Sequence, residues 1–339
     1  MKEVFKELLL LVLFTFGIFL KIFDIPNISF LWSIALALLV YFSALNISFD
    51  KFHHHMEEGM KLLIMNFVVN MLFMTLALYY VFGIRSIFLC MFFSAVISGL
   101  AMNSHKIMGG EAILSPFFSI IIPVFFLEIL SINNLNMFRP MDLLLPLAET
   151  FFISVGSGII FAILGSFLSR KVSLGHHFTA IALYFFTEFL NANGVISVFA
   201  FGLFLGNVNT KKHHFNLKYV DYGLFIVAGY LIYFHSLFIS IALFLFFLFL
   251  RFIAIEFSFF REKMTDKLDL IFLRKKGSTA IAMALLLGSY ILDGRILLEY
   301  QSGIIINLII MFVLFTNIIT FIYDSSKRSS SQTVPRTRP

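Results

Sequence analysis

Residues 109–130 form an apolar stretch that holds several side chains able to do chemistry. Glu111, Ser115, Pro116 and Pro123 interrupt what is otherwise a helix suited to crossing a membrane. A carboxylate at membrane depth is costly unless it is paired or hydrated. Proline removes a backbone donor, which a membrane tolerates only where protein or water satisfies the freed carbonyl. The stretch therefore predicts a polar pathway rather than a simple anchor.

These residues are positioned by a chain whose composition is typical of a polytopic membrane protein. Of 339 residues, 60% are hydrophobic and 13% are charged, and the mean hydropathy is +0.96. At about 20 residues per crossing, the chain has room for a dozen spans and no sizeable soluble domain. A single cysteine, Cys90, excludes an intramolecular disulfide and a cysteine metal cluster. We interpret the net charge of +6 as loop placement rather than nucleic-acid binding.

Apolar runs separated by charged residues, Gly and Asn predict twelve helical spans and an all-α fold. The predicted spans are 8–23, 28–47, 62–83, 86–103, 109–130, 143–168, 177–190, 194–207, 220–235, 237–258, 271–291 and 302–323. The seventh and eighth are short, and only residues 191–194 separate them, so a tight hairpin is expected there.

The distribution of Lys and Arg predicts the orientation. If both termini are cytoplasmic, the inner segments hold 20 basic residues and the outer segments hold four. This asymmetry follows the positive-inside rule. We therefore expect a multi-pass protein of the inner membrane with both termini in the cytoplasm. Residues 1–323 form the transmembrane unit, and the basic, Ser-rich residues 324–339 are expected to be a disordered tail.

The central stretch carries a family resemblance. Gly110-Glu111-Ala112-Ile113-Leu114-Ser115-Pro116 resembles the Gly-Glu-Ser-Leu-Leu-Asn-Asp segment of sodium/proton exchangers in the cation:proton antiporter superfamily. In that family the final Asp binds the ion and cycles its proton. Here Pro116 stands in that place, and Ser115 replaces the Asn. The chain is identified as a divergent member that lacks the usual ion-binding Asp.

Further segments between Val40 and Ile322 are similar to the exchanger pattern. They are residues 42–49, 183–188 with 194–196 and 202–207, 251–254, and 276–282. The fourth span departs from it, because residues 95–100 contain no acid where the family has Thr-Asp-Pro. The resemblance implies the antiporter fold, with inverted repeats, crossed broken helices and a panel of helices that forms a homodimer interface.

Glu111 and Arg251 are the best candidates for a charge pair within the membrane. At helical rise they reach a similar depth on spans five and ten, and an intramembrane Arg requires an acidic partner. The family keeps a comparable Glu–Arg pair. The pair is either part of the ion pathway or a clamp between helices. The clamp is favoured, because a tightly paired acid is poorly placed to exchange protons.

Small and polar residues on spans four and eleven suggest two chain breaks. Ser98-Gly99 and Gly277, with the two residues after it, place helix ends and carbonyls where an ion could bind. The alternative is close helix packing through small residues. Lys276, beside the second break, either occupies the cavity as a tethered cation or extends to the inner interface.

Two further acids lie in apolar spans and could have taken over proton carriage. Glu149 begins its span, and Glu188 lies near the outer end of its own, where a hydrated interfacial acid is the simpler interpretation. Glu128 is closer still to the outer end of its helix and ranks below Glu111, Glu149 and Glu188.

These observations predict a secondary active transporter that exchanges Na⁺ or K⁺ for H⁺ by alternating access. The alternative is a non-transporting homologue that keeps the fold in a binding or regulatory role. The sequence shows no nucleophile–base constellation, zinc motif or phosphate loop, so we expect neither an enzyme nor a cofactor or metal site. The expected partners are a monovalent cation, protons, the lipid bilayer and a second copy of the chain, with no nucleic acid.

Overall fold

Helices account for all the regular structure in the part of the chain that the structure describes. The computed structural model describes residues 2–20, 28–45, 47, 56–98, 117–132, 140–168, 175–208, 218–233, 236–259, 267, 271, 277–296 and 298–332. An all-helical architecture is what a bilayer demands, because each helix satisfies its own backbone groups where water is absent.

The described residues form twelve helices, in agreement with the predicted spans. They are α1 (Lys2–Leu20), α2 (Ile28–Leu45), α3 (Met56–Leu76), α4 (Ile87–Ser98), α5 (Ile122–Ile132), α6 (Pro140–Leu168), α7 (Gly175–Phe189), α8 (Gly194–Val208), α9 (Lys218–Leu231), α10 (Leu237–Ser258), α11 (Ser278–Leu292) and α12 (Glu299–Gln332). A π-helical turn at Ala77–Val81 extends α3, and a second at Phe117–Ile121 precedes α5.

The hairpin between α7 and α8 is confirmed. α7 ends at Phe189 and α8 begins at Gly194, and Asn191 has a φ of 56° in the turn between them. Asparagine is one of the few residues other than glycine that enters the left-handed region readily. The Asn-rich segment 191–194 thus reverses the chain within a few residues.

The helices are those of a multi-pass membrane protein. Among the described residues, four helices are long and apolar enough to cross a membrane, and several shorter helices are also apolar. The four are Lys61–Val81, Leu144–Ser166, Leu237–Ser258 and Glu299–Tyr323. α6 carries large apolar side chains on its surface, including Leu145 at 73% exposure and Phe152 at 72%. Such a surface is suited to lipid rather than to water.

The helices pack as two bundles of six. α1, α2, α6, α7, α8 and α9 are linked by a chain of contacts into the first bundle, in which α1 packs on α9 and α9 on α2. α3, α4, α5, α10, α11 and α12 form the second. The bundles meet where α11 packs on α2 and α9, α12 on α1, and α5 on α6.

Glycines bring helices of the first bundle into close contact. A Cβ added at Gly202 of α8 would lie 2.6 Å from the carbonyl oxygen of Tyr41 on α2, and one at Gly206 would overlap Leu45. α1 and α9 approach each other in the same way at Gly17 and Gly229. Small residues at such positions let helix backbones pack closely in a membrane, where apolar side chains gain little over lipid.

Part of the segment predicted to be a disordered tail lies within α12. α12 continues to Gln332, so residues 324–332 belong to a helix. Lys, Arg and Gln are good helix formers and Ser only moderately unfavourable, so a helix that already exists extends through them at low cost. Residues 333–339 lie outside the described part of the chain.

Candidate functional site

A group of polar side chains joins the two bundles at the end of the molecule where the α7–α8 hairpin lies. We call this end the hairpin end and the group the hairpin-end cluster. Its members are Glu128 of α5, Glu188 of α7, Asn193 before α8, Tyr290 of α11 and Arg295 after α11.

Asn193 lies at the centre of the cluster and is fully buried. Its side-chain Nδ2 donates to Glu128 Oε1 at 2.6 Å and to the Tyr290 hydroxyl at 2.9 Å. Its Oδ1 accepts a hydrogen bond from the backbone N–H of Ile196 at 3.0 Å, as an N-cap residue does. The start of α8 therefore fixes the position of the amide that contacts Glu128.

Tyr290 provides the second donor to the same carboxylate oxygen. The Tyr290 hydroxyl donates to Glu128 Oε1 at 2.5 Å, and the residue is only 2% exposed. Hydrogen bonds to an ionised carboxylate are shorter and stronger than bonds between neutral groups. Glu128 Oε1 thus accepts two short hydrogen bonds from neutral donors.

Glu188 and Arg295 form the ionic half of the cluster. Arg295 Nη2 donates to Glu188 Oε2 at 3.0 Å, and the backbone N–H of Gly194 donates to Glu188 Oε1 at 2.9 Å. The guanidinium lies 5.1 Å from the centre of the Tyr290 ring, within the range of a cation–π contact. Burial lowers the pKa of Arg295, but Glu188, Tyr290 and Glu128 outweigh it, so its pKa is raised. Arg295 stays charged.

A cavity of about 430 Å³ lies beside the cluster, between α2, α7 and α11. Its charged lining consists of Glu188, Asp293 and Arg295, and its polar lining includes Ser33, Tyr184 and Ser289. With two acids and one base, the charged lining has an excess of negative charge when all three groups are ionised.

A second polar group lies between α3 and α4 within the second bundle, and we call it the α3–α4 strip. It consists of Asn66, Asn70, Thr75, Ser94 and Ser98, all fully or almost fully buried. Asn70 Nδ2 donates to the Asn66 carbonyl at 2.7 Å, and Asn66 Nδ2 donates to the Ser98 carbonyl at 3.0 Å. The Thr75 and Ser94 hydroxyls are 2.9 Å apart. Every member of the strip is neutral.

The predicted site residues that the structure describes lie in different parts of the fold. Ser98 belongs to the α3–α4 strip, Glu188 to the hairpin-end cluster, and Arg251 is fully buried on α10. Glu149 is exposed on α6. Gly277 precedes α11 in an extended conformation. The other predicted site residues, Gly99, Glu111, Ser115, Pro116 and Lys276, lie outside the described residues.

The two predicted chain breaks are described on one side each. α4 ends at Ser98, and α11 begins at Ser278 after Gly277. Residues 99–116 and 272–276, which would complete the breaks, lie outside the described part of the chain. The crossing of two broken helices at this place, and the pairing of Arg251 with Glu111, therefore stay predictions.

Sequence reasoning missed most of the hairpin-end cluster. Asn193 was interpreted only as a turn residue, Arg295 only as a loop charge, and Glu128 was ranked below three other acids. Tyr290 was not singled out. One signal was available: a tyrosine and an arginine flank the end of span eleven, and an acid lies near the same end of spans five and seven. Sequence spacing alone does not show which helices are neighbours.

The described residues contain no group of three or more His, Cys, Asp or Glu side chains that could hold a metal ion. The hairpin-end cluster holds two carboxylates, one paired with a guanidinium and one hydrogen-bonded to neutral donors.

Comparison with known proteins gives one kind of match. No family model matches the chain, and no curated protein sequence matches it. A solved structure of the sodium proton antiporter MjNhaP1 from Methanocaldococcus jannaschii at pH 8 is similar to it, with a TM-score of 0.67 over 95% of this chain and 91% of that one. The sequence identity is 15%. The likeness shows that this chain has the cation:proton antiporter fold.

Proposed function

We propose that this protein is a secondary active transporter that exchanges a monovalent cation, Na⁺ or K⁺, for protons by alternating access. The observation that carries the proposal is the fold likeness to a sodium proton antiporter over 95% of the chain. The division into two bundles with a polar junction supports it, since alternating access requires two bodies that can change their relative position.

The orientation that we propose places both termini in the cytoplasm and the hairpin end on the outer side of the inner membrane. The asymmetric distribution of basic residues supports this orientation. A homodimer, with the exposed apolar surface otherwise in contact with lipid, completes the proposed assembly.

The proton carrier that we propose is an acid other than the family aspartate. At Pro116 the backbone offers only a carbonyl, and Ser115 offers a neutral hydroxyl, so neither can carry a titrating charge. Of the three acids considered from sequence, Glu188 is engaged by Arg295 and Glu149 is exposed on α6. We place Glu111 first because it lies in the segment that resembles the family's ion-binding stretch, and we take its pair with Arg251 as part of the ion pathway rather than as a clamp. Ser98, Gly99, Lys276 and Gly277 lie along the same proposed pathway.

The test is ion exchange by the purified protein in liposomes that contain a pH-sensitive dye. We expect proton efflux on addition of Na⁺ or K⁺, and its loss in Glu111→Gln. Glu149→Gln is the matched control and should retain exchange, because Glu149 lies on the surface of α6. Each variant is first checked for monodispersity and thermal melting.

A silent wild type would favour the second candidate function. Loss of the family aspartate at Pro116 is the feature that supports a non-transporting homologue with a binding or regulatory role. Absence of exchange with Na⁺, K⁺ and Li⁺ at neutral and mildly alkaline pH would overturn the transporter proposal. Exchange that survives Glu111→Gln, with a correctly folded variant, would overturn the assignment of the carrier.

A further inference from the structure

We propose that Glu128 is a proton-binding site at the hairpin end, and that its ionised form holds the two bundles together there. Any part that Glu128 plays in transport rests on the proposed function. The coupling between protonation of Glu128 and contact between the two bundles rests on geometry alone.

The first step of the argument is that the contacts of the cluster cross from one bundle to the other. Glu128 belongs to the second bundle, and its partner Asn193 to the first. Tyr290 belongs to the second bundle and also accepts a hydrogen bond from Asn193. Arg295 follows α11 of the second bundle and pairs with Glu188 of the first. The hairpin end is therefore fastened by polar bonds between bundles.

The second step is the charge balance. Arg295 donates its hydrogen bond to Glu188, while Glu128 receives its hydrogen bonds from the neutral groups of Asn193 and Tyr290. When both carboxylates are ionised, the cluster carries one negative charge more than its single guanidinium compensates. A proton bound at Glu128 removes that excess.

The charged and titratable groups that face Glu128 within the described residues are few. Glu188, Tyr290 and Arg295 act on it from α7 and α11. α4, which packs against α5, carries no charged residue, and Glu149 of α6 is exposed. Asp293 lines the neighbouring cavity beside Arg295.

The third step concerns the ligand. Asn193 presents an N–H and Tyr290 an O–H to the same oxygen of Glu128. A metal cation requires several oxygen lone pairs, and this arrangement offers it hydrogens instead. A proton fits, because it neutralises the carboxylate without any additional ligand.

The consequence is a change in the strength of the junction. The ionised carboxylate accepts two charge-assisted hydrogen bonds, and these are roughly twice as strong as bonds between neutral groups. Protonation removes the charge assistance and weakens both bonds, of which the bond from Asn193 crosses from one bundle to the other. Acid on the side that the hairpin end faces therefore loosens this end of the two bundles, and a rise in pH tightens it.

The experiment measures access to the cavity beside the cluster. The single native cysteine is removed by Cys90→Ser, and Ser289→Cys places a thiol in the cavity lining. The rate of labelling by a polar maleimide is measured in lipid nanodiscs, where both faces are accessible. Each rate is divided by that of Tyr300→Cys, whose side chain is 82% exposed, which corrects for thiol ionisation.

We expect the corrected rate to rise by about tenfold when the pH is lowered far enough to protonate Glu128, because the bond from Asn193 then loses its charge assistance. Glu128→Gln should label fast at every pH. Tyr290→Phe should raise the rate at high pH and serves as a second variant in case Glu128→Gln does not fold. Glu149→Gln, outside the cluster, should keep the pH dependence of the parent.

Two results would overturn the inference: a corrected rate that does not change with pH in the parent, or an unchanged pH dependence in both Glu128→Gln and Tyr290→Phe. Labelling does not require ion exchange. A protein that is silent in liposomes but keeps the Glu128-dependent labelling refutes the proposed transport alone. A protein that exchanges ions but labels independently of pH refutes this inference alone.

Discussion

The hairpin-end cluster and the α3–α4 strip are both buried and polar, but they differ in charge and in what they connect. The cluster contains two carboxylates and a guanidinium and joins the two bundles. The strip contains amides and hydroxyls and joins two helices of the same bundle. One group connects the two bundles, and the other stabilises a single bundle from within.

The difference follows from the cost of charge. Deep between two packed helices an unpaired charge is strongly unfavourable, so neutral polar groups are tolerated there more readily than ionised ones. At the hairpin end the ionic side chains are partly exposed, with Arg295 at 34% and Glu188 at 21%. Hydration lowers the cost of charge there, and charge makes the junction responsive to pH. Substitutions that move charge into the strip or out of the cluster test this explanation.

The largest effect is expected when charge enters the strip. Asn70→Asp should reduce the free energy of unfolding by about 3–5 kcal/mol at neutral pH, because it buries a carboxylate among the neutral side chains of the strip. Denaturant titration in mixed micelles measures the loss. The deficit should shrink in acid, where the introduced carboxyl is neutral. Asn70→Leu is the control of similar volume, and a loss as large as that of the acid would show that charge is irrelevant.

The next largest effect is expected when the cluster loses a donor. Tyr290→Phe should reduce the free energy of unfolding by about 1.5–3 kcal/mol, the range for a hydrogen bond to a charged group. The ring remains available to Arg295, so only the hydroxyl is tested. Tyr300→Phe is the matched control, since Tyr300 is exposed, and should have no effect. Equal stability of the two variants would exclude an ionised Glu128 as the acceptor.

The fold was the more predictable part of this molecule. The twelve apolar runs correspond to the twelve helices of the described residues, because each run is about as long as a bilayer is thick and lipid permits little else. The short hairpin at residues 191–194 was predictable from its Asn and Gly content. The helical continuation to Gln332 was not, because the pattern of charged and Ser residues describes solvation rather than backbone conformation.

The hairpin-end cluster was less predictable, for a physical reason. Glu128 and Tyr290 are 162 residues apart, and Glu128 and Asn193 are 65 apart. Hydropathy identifies each helix but contains no information on which helices are neighbours. Depth arguments ranked Glu128 last among the acids because it lies near a helix end. Its helix end is also the place where the two bundles meet through polar contacts.

A smaller effect is expected for the ion pair between the bundles. In a double-mutant cycle with Arg295→Gln and Glu188→Gln, we expect a coupling of about 1 kcal/mol, since both side chains are partly exposed and the pair is screened by solvent. The coupling should fall as salt is added. Additive effects of the two substitutions at low salt would show that the pair does not hold the bundles together.

The smallest effect is expected within the strip. The Ser94 hydroxyl donates to the Cys90 carbonyl at 2.8 Å, so the Thr75 hydroxyl is the donor in the 2.9 Å contact between them. Thr75→Val removes that donor at nearly constant shape. A loss of about 0.6 kcal/mol is expected, since a chain unfolded in a membrane also finds partners for its polar groups. A loss as large as that of Tyr290→Phe would mean that the charge on Glu128 adds nothing to its bonds, and the contrast between the two groups would reduce to their positions in the fold.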